Sequence, residues 1–327
     1  MNFKGIIGQK EIISSLKGSI ESDRIGHAYM FTGPRGIGKK SVAREFAQML
    51  LCQGSGKDSN CGCPSCSMLE MGSNPDFFMI GQSADANISI EEIRKLQSDI
   101  IIKPMYSKRK VYLIADSDRM TVQAQNCLLK ILEEPPSYAV LLLTTYNANA
   151  LLETIRSRTQ KCNFRKNNYD EVRSLLQSRF GSNLGNIDFI ASFSDGVIGN
   201  ALELAESEEF GQLRDNAMGI VFRLAKSGLE GVFDIYDYFE ANKNSIDNIL
   251  DIMLLVYRDM LVSRTSGNEI LLINSDKKDI ILSNAQEFSM LKLSKNMEII
   301  EETRRNIKQN ANFQLSIEVM LMKLQED

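Results

Sequence analysis

The run Gly33-Pro34-Arg35-Gly36-Ile37-Gly38-Lys39-Lys40 decides how the chain is read. It follows the apolar stretch His27–Phe31 and opens a segment, Ser41 to Leu51, with Val42, Ala43, Phe46, Met49 and Leu50 at helical spacing. A glycine-rich loop between a strand and a helix gathers backbone N–H groups and a helix N-terminus into an anion cradle. Gly33, Gly36 and Gly38 let the chain approach a phosphate, and Lys39 would reach toward its terminal groups. The pattern G-x-x-x-x-G-K-[ST] ends in a hydroxyl that coordinates magnesium, and here that place holds Lys40. Ser41 comes one residue late, about 100° further round the helix. The expectation is a degenerate nucleotide cradle, Gly33, Gly36, Gly38, Lys39 and Ser41, that could still take ATP or ADP but lacks its magnesium ligand; the plain alternative is a glycine-rich turn with no ligand.

Outward from this loop, Phe77–Ile80, Val111–Ala115 and Val140–Thr145 are short apolar runs of the kind buried on both faces of a parallel sheet. Helical patterns alternate with them, as in Thr121 to Glu133, which Pro135 halts. Ser89-Ile90-Glu91-Glu92 is a capping box flanked by Ile88 and Ile93, and it predicts a helix over 90–100. Strands alternating with helices imply an α/β layer architecture. All six prolines lie in the first 136 residues. From about Asn167 the periods become helical, with Ile249, Leu250, Met253, Val256, Tyr257, Met260 and Leu261 on one stripe and Phe313, Ile317, Met320, Leu321 and Leu324 on another. Gly185 and the Ser207–Glu209 stretch are candidate joints.

Cys52, Cys61, Cys63 and Cys66 fall within fifteen residues and supply the four thiols of a closed, structural zinc site; reduced cysteines in a loop are the alternative. Cys127 and Cys162 stand apart and read as small buried hydrophobes, and the single histidine, His27, reads as packing. With 38 Lys plus Arg against 42 Asp plus Glu, the net charge is −4, so no nucleic-acid claim rests on bulk charge. Lys103, Lys108, Arg109 and Lys110 form a short basic run, read as a solvated loop or a segment near DNA. The N-terminal residues lack a signal-peptide pattern and nowhere do eighteen apolar residues run together, so a cytoplasmic protein with no membrane contact is expected.

Ile7-Gly8-Gln9, His27-Ala28-Tyr29, the phosphate loop, the cysteine insert, Ser157-Arg158 and above all Leu128-Leu129-Lys130-Ile131-Leu132-Glu133-Glu134-Pro135-Pro136 resemble the AAA+ clamp-loader subunits of bacterial DNA polymerase III. Within that family the chain is most similar to the non-hydrolysing delta-prime branch, not to the gamma and tau ATPases. The resemblance implies an AAA+ P-loop domain over 1–165, a parallel sheet flanked by helices, with a cysteine insert at 52–66. It further implies a small helical lid over 166–206 and an all-α oligomerising collar over 207–327. Where the ATPases end a strand in Asp-Glu, this chain has Ala115 and Asp116, and where they carry a phosphate-sensing arginine it has Gly199. The family cysteine spacing, C-x8-C-x2-C-x2-C, is shortened here by one residue between Cys61 and Cys63. Thr154-Ile155-Arg156-Ser157-Arg158-Thr159 resembles the segment whose arginine projects into a neighbouring subunit, which makes Arg158 the residue expected to act catalytically, in trans.

The implied function is a stator of the replicative clamp loader, working with gamma/tau-like and delta subunits to load the sliding clamp on primed DNA. The rival readings are an active clamp-loader ATPase, which predicts magnesium-dependent turnover lost on Lys39→Ala, and a zinc-containing nucleic-acid-binding module, which predicts salt-sensitive DNA affinity of the lone chain.

Overall fold

In a computed structural model, residue 3 and residues 5–326 are described, apart from 55–60, 82–85, 182–183, 225–230 and 267–270. Part of the cysteine insert thus lies outside the described residues. The chain divides into two compact units, Met1–Val172 with Asp195–Asn200, and Arg173–Ser194 with Ala201–Asp327.

The first unit runs α1 (Lys10–Glu21), β1 (Ala28–Thr32), α2 (Lys39–Leu51), α3 (Pro64–Glu70), β2 (Phe77–Ile80), α4 (Ile90–Ile100), β3 (Lys110–Ile114), α5 (Val122–Glu133), β4 (Ala139–Thr145), α6 (Glu153–Ser157) and β5 (Gln160–Asn163). The five strands form one parallel sheet in the order β2-β3-β4-β1-β5. Helices cover both faces, so alternate residues of each inner strand enter different cores. Tyr29, Phe31, Val111, Leu113, Val140 and Leu142 pack with Val42, Phe46 and Leu50 of α2. Their neighbours Met30, Tyr112, Ile114, Leu141 and Leu143 pack with Ile93 and Leu96 of α4 and Leu128 and Ile131 of α5. The expected capping box is formed: Ser89 Oγ accepts from the Glu92 N–H at 3.3 Å, and Glu92 Oε2 accepts from the Ser89 N–H at 2.9 Å.

The sequence reading differs from the structure in several places. β2, expected to be buried on both faces, is an edge strand whose four residues are all only half-buried, because β3 covers it on one side alone. The edge strand β5 was not foreseen, because Gln160-Lys161-Cys162-Asn163 buries only Cys162. The basic run is not one solvated patch. Lys110 is 3% exposed, with Nζ 2.8 Å from Asp99 and over the Phe78 ring, and Arg109 pairs with Asp23 at 3.0 Å. His27 is exposed instead of packed, and its carbonyl serves the sheet by accepting from the Leu141 N–H.

The second unit is helical, with no strand among its described residues. The chain here continues through α7 (Tyr169–Phe180), α8 (Ile187–Phe193), α9 (Ile198–Glu206), α10 (Glu208–Leu224), α11 (Gly231–Ala241), α12 (Ile246–Ser266), α13 (Lys278–Ala285), α14 (Met290–Lys308) and α15 (Phe313–Gln325). The stripe on α12 is buried from Ile249 to Met260, and Ile317, Met320, Leu321 and Leu324 of α15 are buried as well, with Leu261 and Phe313 half-buried at the ends of the two stripes. Ser207 separates α9 from α10, and its Oγ accepts from the Phe210 N–H at 3.1 Å. The buried Arg214 is held through its two Nη groups by both oxygens of Asp276 and by Asn274 Oδ1, and it lies over the Phe189 ring at 3.8 Å, while its Nε has no partner. No helix among the described residues is long and apolar enough to cross a membrane.

Leu142 lies at the centre of the sheet with no exposed surface. Leu142→Ala is expected to destabilise the first unit by about 3 kcal/mol, read as a lower midpoint in urea for the transition of that unit.

Candidate functional site

The parallel sheet aims every strand the same way, and this fixes the phosphate loop at the carboxyl end of β1. Gly33 N–H donates to the Thr145 carbonyl across to β4 at 3.3 Å, and Gly38 serves as the left-handed N-cap of α2. A cavity of about 400 Å³ opens there, lined by Arg35, Gly36, Gly38, Lys39, Lys40, Ser41, Asp116, Arg119 and Thr144. The structure therefore brings Gly36, Gly38, Lys39 and Ser41 to one place, with Gly33 behind them. Arg35 and Arg119 were not singled out by the motif, because they come from the variable loop interior and from the turn after β3.

The lysine does not extend outward as expected. Lys39 is 7% exposed, and its Nζ donates to the carbonyls of Gly33 and Pro34 at 2.7 and 2.6 Å. Burial pushes its pKa down; Asp116 and Asp118 oppose that shift and Arg35 adds to it. Asp116 sits in a left-handed turn, half exposed, its N–H donating to Thr144 Oγ1 at 3.0 Å. One oxygen of Asp118 accepts from Thr145 Oγ1 at 2.7 Å and from the Tyr146 N–H at 3.1 Å. Thr144 and Thr145 are thus engaged in holding the turn after β3. Arg35 lies over the Tyr146 ring at 4.1 Å.

Gly199 bears on the same loop from Asp195–Asn200, a segment of the first unit. Its N–H donates to the Gly36 carbonyl at 2.8 Å, and a Cβ at 199 would stand 2.8 Å from that oxygen and 2.9 Å from Gly36 Cα. No side chain fits at 199 unless the phosphate loop moves.

Arg158 is not part of this cavity. It follows α6 and precedes β5, and the register pairs Tyr29 with Gln160, so Arg158 is level with the start of β1. The phosphate loop begins after Thr32, about 20 Å further along the strand direction at ~3.3 Å per residue. The guanidinium is partly exposed, with Nη2 3.2 Å from Glu133 Oε1 and Nη1 3.3 Å from the Thr154 carbonyl. Glu133 closes α5 within the Leu-Leu-Lys-Ile-Leu-Glu-Glu-Pro-Pro string, and nothing in the sequence signalled that pairing.

A second centre is formed by Cys52, Cys61, Cys63 and Cys66, whose sulfurs all lie within 4.8 Å of one another. A tetrahedral zinc with bonds of about 2.3 Å needs sulfur–sulfur edges near 3.8 Å, so the four thiols fit a metal after small adjustments. The shortened Cys61–Cys63 spacing is tolerated because Cys63 is extended, at φ −69° and ψ 153°, and residues two apart on an extended chain face the same side. Cys63 then caps α3, where Pro64 occupies the first turn, and Cys66 lies one turn in. A Cβ at Gly54 would stand 2.8 Å from Cys61 Sγ, so glycine there leaves the sulfurs room. Burial opposes ionisation of Cys63, but the N–H groups of Cys66 and Gln53 and the thiols of Cys66 and Cys61 outweigh it and bring its pKa down to about 6. Burial pushes the Cys66 thiol up. Away from the cluster, Cys162 is buried, which raises its thiol to about 11, and Cys127 is half-buried against the α4–α5 core.

Comparison with known proteins bears on the family of the chain. The family described as "DNA polymerase III, delta subunit" matches residues 8–168, and "DNA polymerase III, delta subunit, C terminal" matches residues 210–326. The chain is 30% identical over 322 residues to DNA polymerase III subunit delta' of Bacillus subtilis, covering 97% of this chain and 96% of that one. It is 26% identical to subunit tau of the same organism over 98% of this chain and 61% of tau. A solved gamma-subunit-related protein of Thermotoga maritima superposes over 95% of this chain and 98% of its own, with a TM-score of 0.48 and 18% identity. Matched from end to end by a relative of nearly its own length, the chain belongs to the delta-prime family of bacterial DNA polymerase III subunits.

Proposed function

We propose that this protein is a non-hydrolysing, cytoplasmic stator of the clamp loader, and that Arg158 completes the nucleotide site of a neighbouring ATPase subunit. The observation that carries the reading is the distance along the sheet between Arg158 and its own phosphate loop, about 20 Å, in a chain that matches a delta-prime relative throughout. A guanidinium so far from its own cradle cannot stabilise charge there. One that is partly exposed can exchange its pairing with Glu133 for a phosphoryl group brought by another subunit, where such a group contributes about 10³- to 10⁵-fold in rate.

Three features of the chain's own cradle support the absence of turnover. Lys40 puts an ammonium where a magnesium-ligating hydroxyl is needed, Ala115 offers no carboxylate at the end of β3, and Gly199 is packed against Gly36 where the ATPases are expected to carry an arginine. These residues do not fit a catalytic magnesium. Each missing electrostatic group typically costs a few kcal/mol of transition-state stabilisation, so ATP or ADP, if taken up, would remain intact. The partners implied are gamma/tau-like and delta subunits, the sliding clamp, and primed DNA reached through the assembly. The regions 1–165, 166–206 and 207–327 would act as the nucleotide-binding-like domain, the lid and the collar.

The four cysteines would hold one zinc ion in a closed structural site. The metal's contribution there is to tie Cys52, after α2, to Cys63 and Cys66, at the start of α3.

Three measurements check these readings. The isolated chain is expected to show no magnesium-dependent ATP turnover, and a steady rate abolished by Lys39→Ala would instead support the ATPase reading. In a complex reconstituted with the ATPase and delta subunits, Arg158→Ala is expected to slow hydrolysis at the adjacent site by about 10³-fold, seen as one fewer ATP consumed in the pre-steady-state burst. Elemental analysis of the purified protein is expected to find one zinc per chain, lost in the Cys63→Ser, Cys66→Ser double variant.

A further inference from the structure

The loop between α4 and β3, residues 103–107, keeps a defined backbone without burying its own apolar groups: Met105 is 75% exposed and Tyr106 45%. What holds it is Asp76, itself 1% exposed. Its Oδ1 accepts from the Met105 N–H at 2.7 Å, and its Oδ2 accepts from the N–H groups of Tyr106 and Ser107, both at 2.8 Å. Charge-assisted bonds of this kind, sheltered from water, are the strong ones.

Asp76 and the loop are joined in turn to the cysteine centre by buried polar groups with a single consistent direction of donation. Asn74 Nδ2 donates to the carbonyl and hydroxyl of Ser65, at 2.8 and 2.9 Å, while its Oδ1 accepts from the Asp76 N–H at 2.8 Å. Ser107 Oγ donates to the Leu51 carbonyl at 2.7 Å, which leaves Ser65 to donate to Ser107 Oγ at 3.0 Å. Ser65 is fully buried and adjoins Cys66; Leu51 adjoins Cys52. Both backbone segments that the loop contacts through Ser107 therefore carry a cysteine of the centre at the next position.

We infer that the cysteine centre sets the conformation of the 103–107 loop, with Asp76, Asn74, Ser65 and Ser107 as the positioning residues that transmit it. The inference rests on the reading of the four cysteines as a metal site. A bound metal fixes Cys52 and Cys66 with respect to each other, and so fixes the Leu51 carbonyl and Ser65 at the separation that Ser107 spans. Without the metal those two anchors move independently, Ser107 cannot satisfy both, and the three amides lose their common acceptor. The exposed side chains of Met105 and Tyr106, together with Ile101 and Ile102 at 75% and 62%, would then no longer be presented from a fixed backbone.

Hydrogen exchange read by mass spectrometry on the full chain tests this, comparing zinc-loaded protein with protein stripped by a chelator under reducing conditions. Exchange in a peptide covering 105–107 is expected to quicken at least tenfold on stripping, while the β1 and β4 amides stay protected. Ser65→Ala is expected to quicken the same peptide with zinc fully retained, which separates the coupling from any general loss of fold. If the protein holds zinc and neither stripping nor Ser65→Ala changes exchange at 105–107, the coupling is overturned while the metal reading stands. If the protein takes up no zinc, the metal reading fails and the coupling with it.

Discussion

A parallel sheet has two unlike ends, and most of what this protein can do follows from that polarity. The loop after β1 emerges where the strands finish, and the segment before β5 enters where they start. The pairing of Tyr29 with Gln160 locks those two positions about six residues apart along the sheet. Burial on both faces makes the register costly to alter, since sliding a strand by one residue would exchange the side chains of its two cores. The cradle and Arg158 are therefore held at opposite ends of one rigid body. A chain built this way can receive an anion at one end and offer a cation at the other, but it cannot bring the two together within itself.

The chemistry at the cradle end follows the same logic of placement. Arg35, Lys39, Lys40 and Arg119 bring positive charge to the cavity, and Asp116 is the carboxylate among its lining residues. Lys39 is bonded to its own loop carbonyls, and the loop is buttressed by Gly199 through a contact that leaves no space for a side chain. The loop is therefore held by contacts within the chain.

How much of this was legible in the sequence depended on where the determining interactions lay. β1, β3 and β4 could be read because burial on both faces gives unbroken apolar runs, and α4 because its capping box is a local signal that survives into the structure. The four cysteines could be read because their chemistry is scarce and their spacing short. β5 could not, since Gln160-Lys161-Cys162-Asn163 is polar apart from the buried Cys162, whereas the other edge strand, β2, is apolar throughout. Lys110 was misjudged because its partner Asp99 lies on another element, and charge alone suggests solvent. The Asp76 network was invisible for the same reason: its acceptor and its three donors are separated by about thirty residues and meet only when β2 pairs with β3.

The central claim is that Arg158 acts on a neighbour and never on its own cradle. Photocrosslinking reports on it directly, with a benzophenone amino acid placed at 158 in the ATP-bound reconstituted complex. The account predicts adducts with the phosphate-loop peptide of an adjacent ATPase subunit. Adducts with residues 33–41 of the same chain, and none with a neighbour, would contradict it.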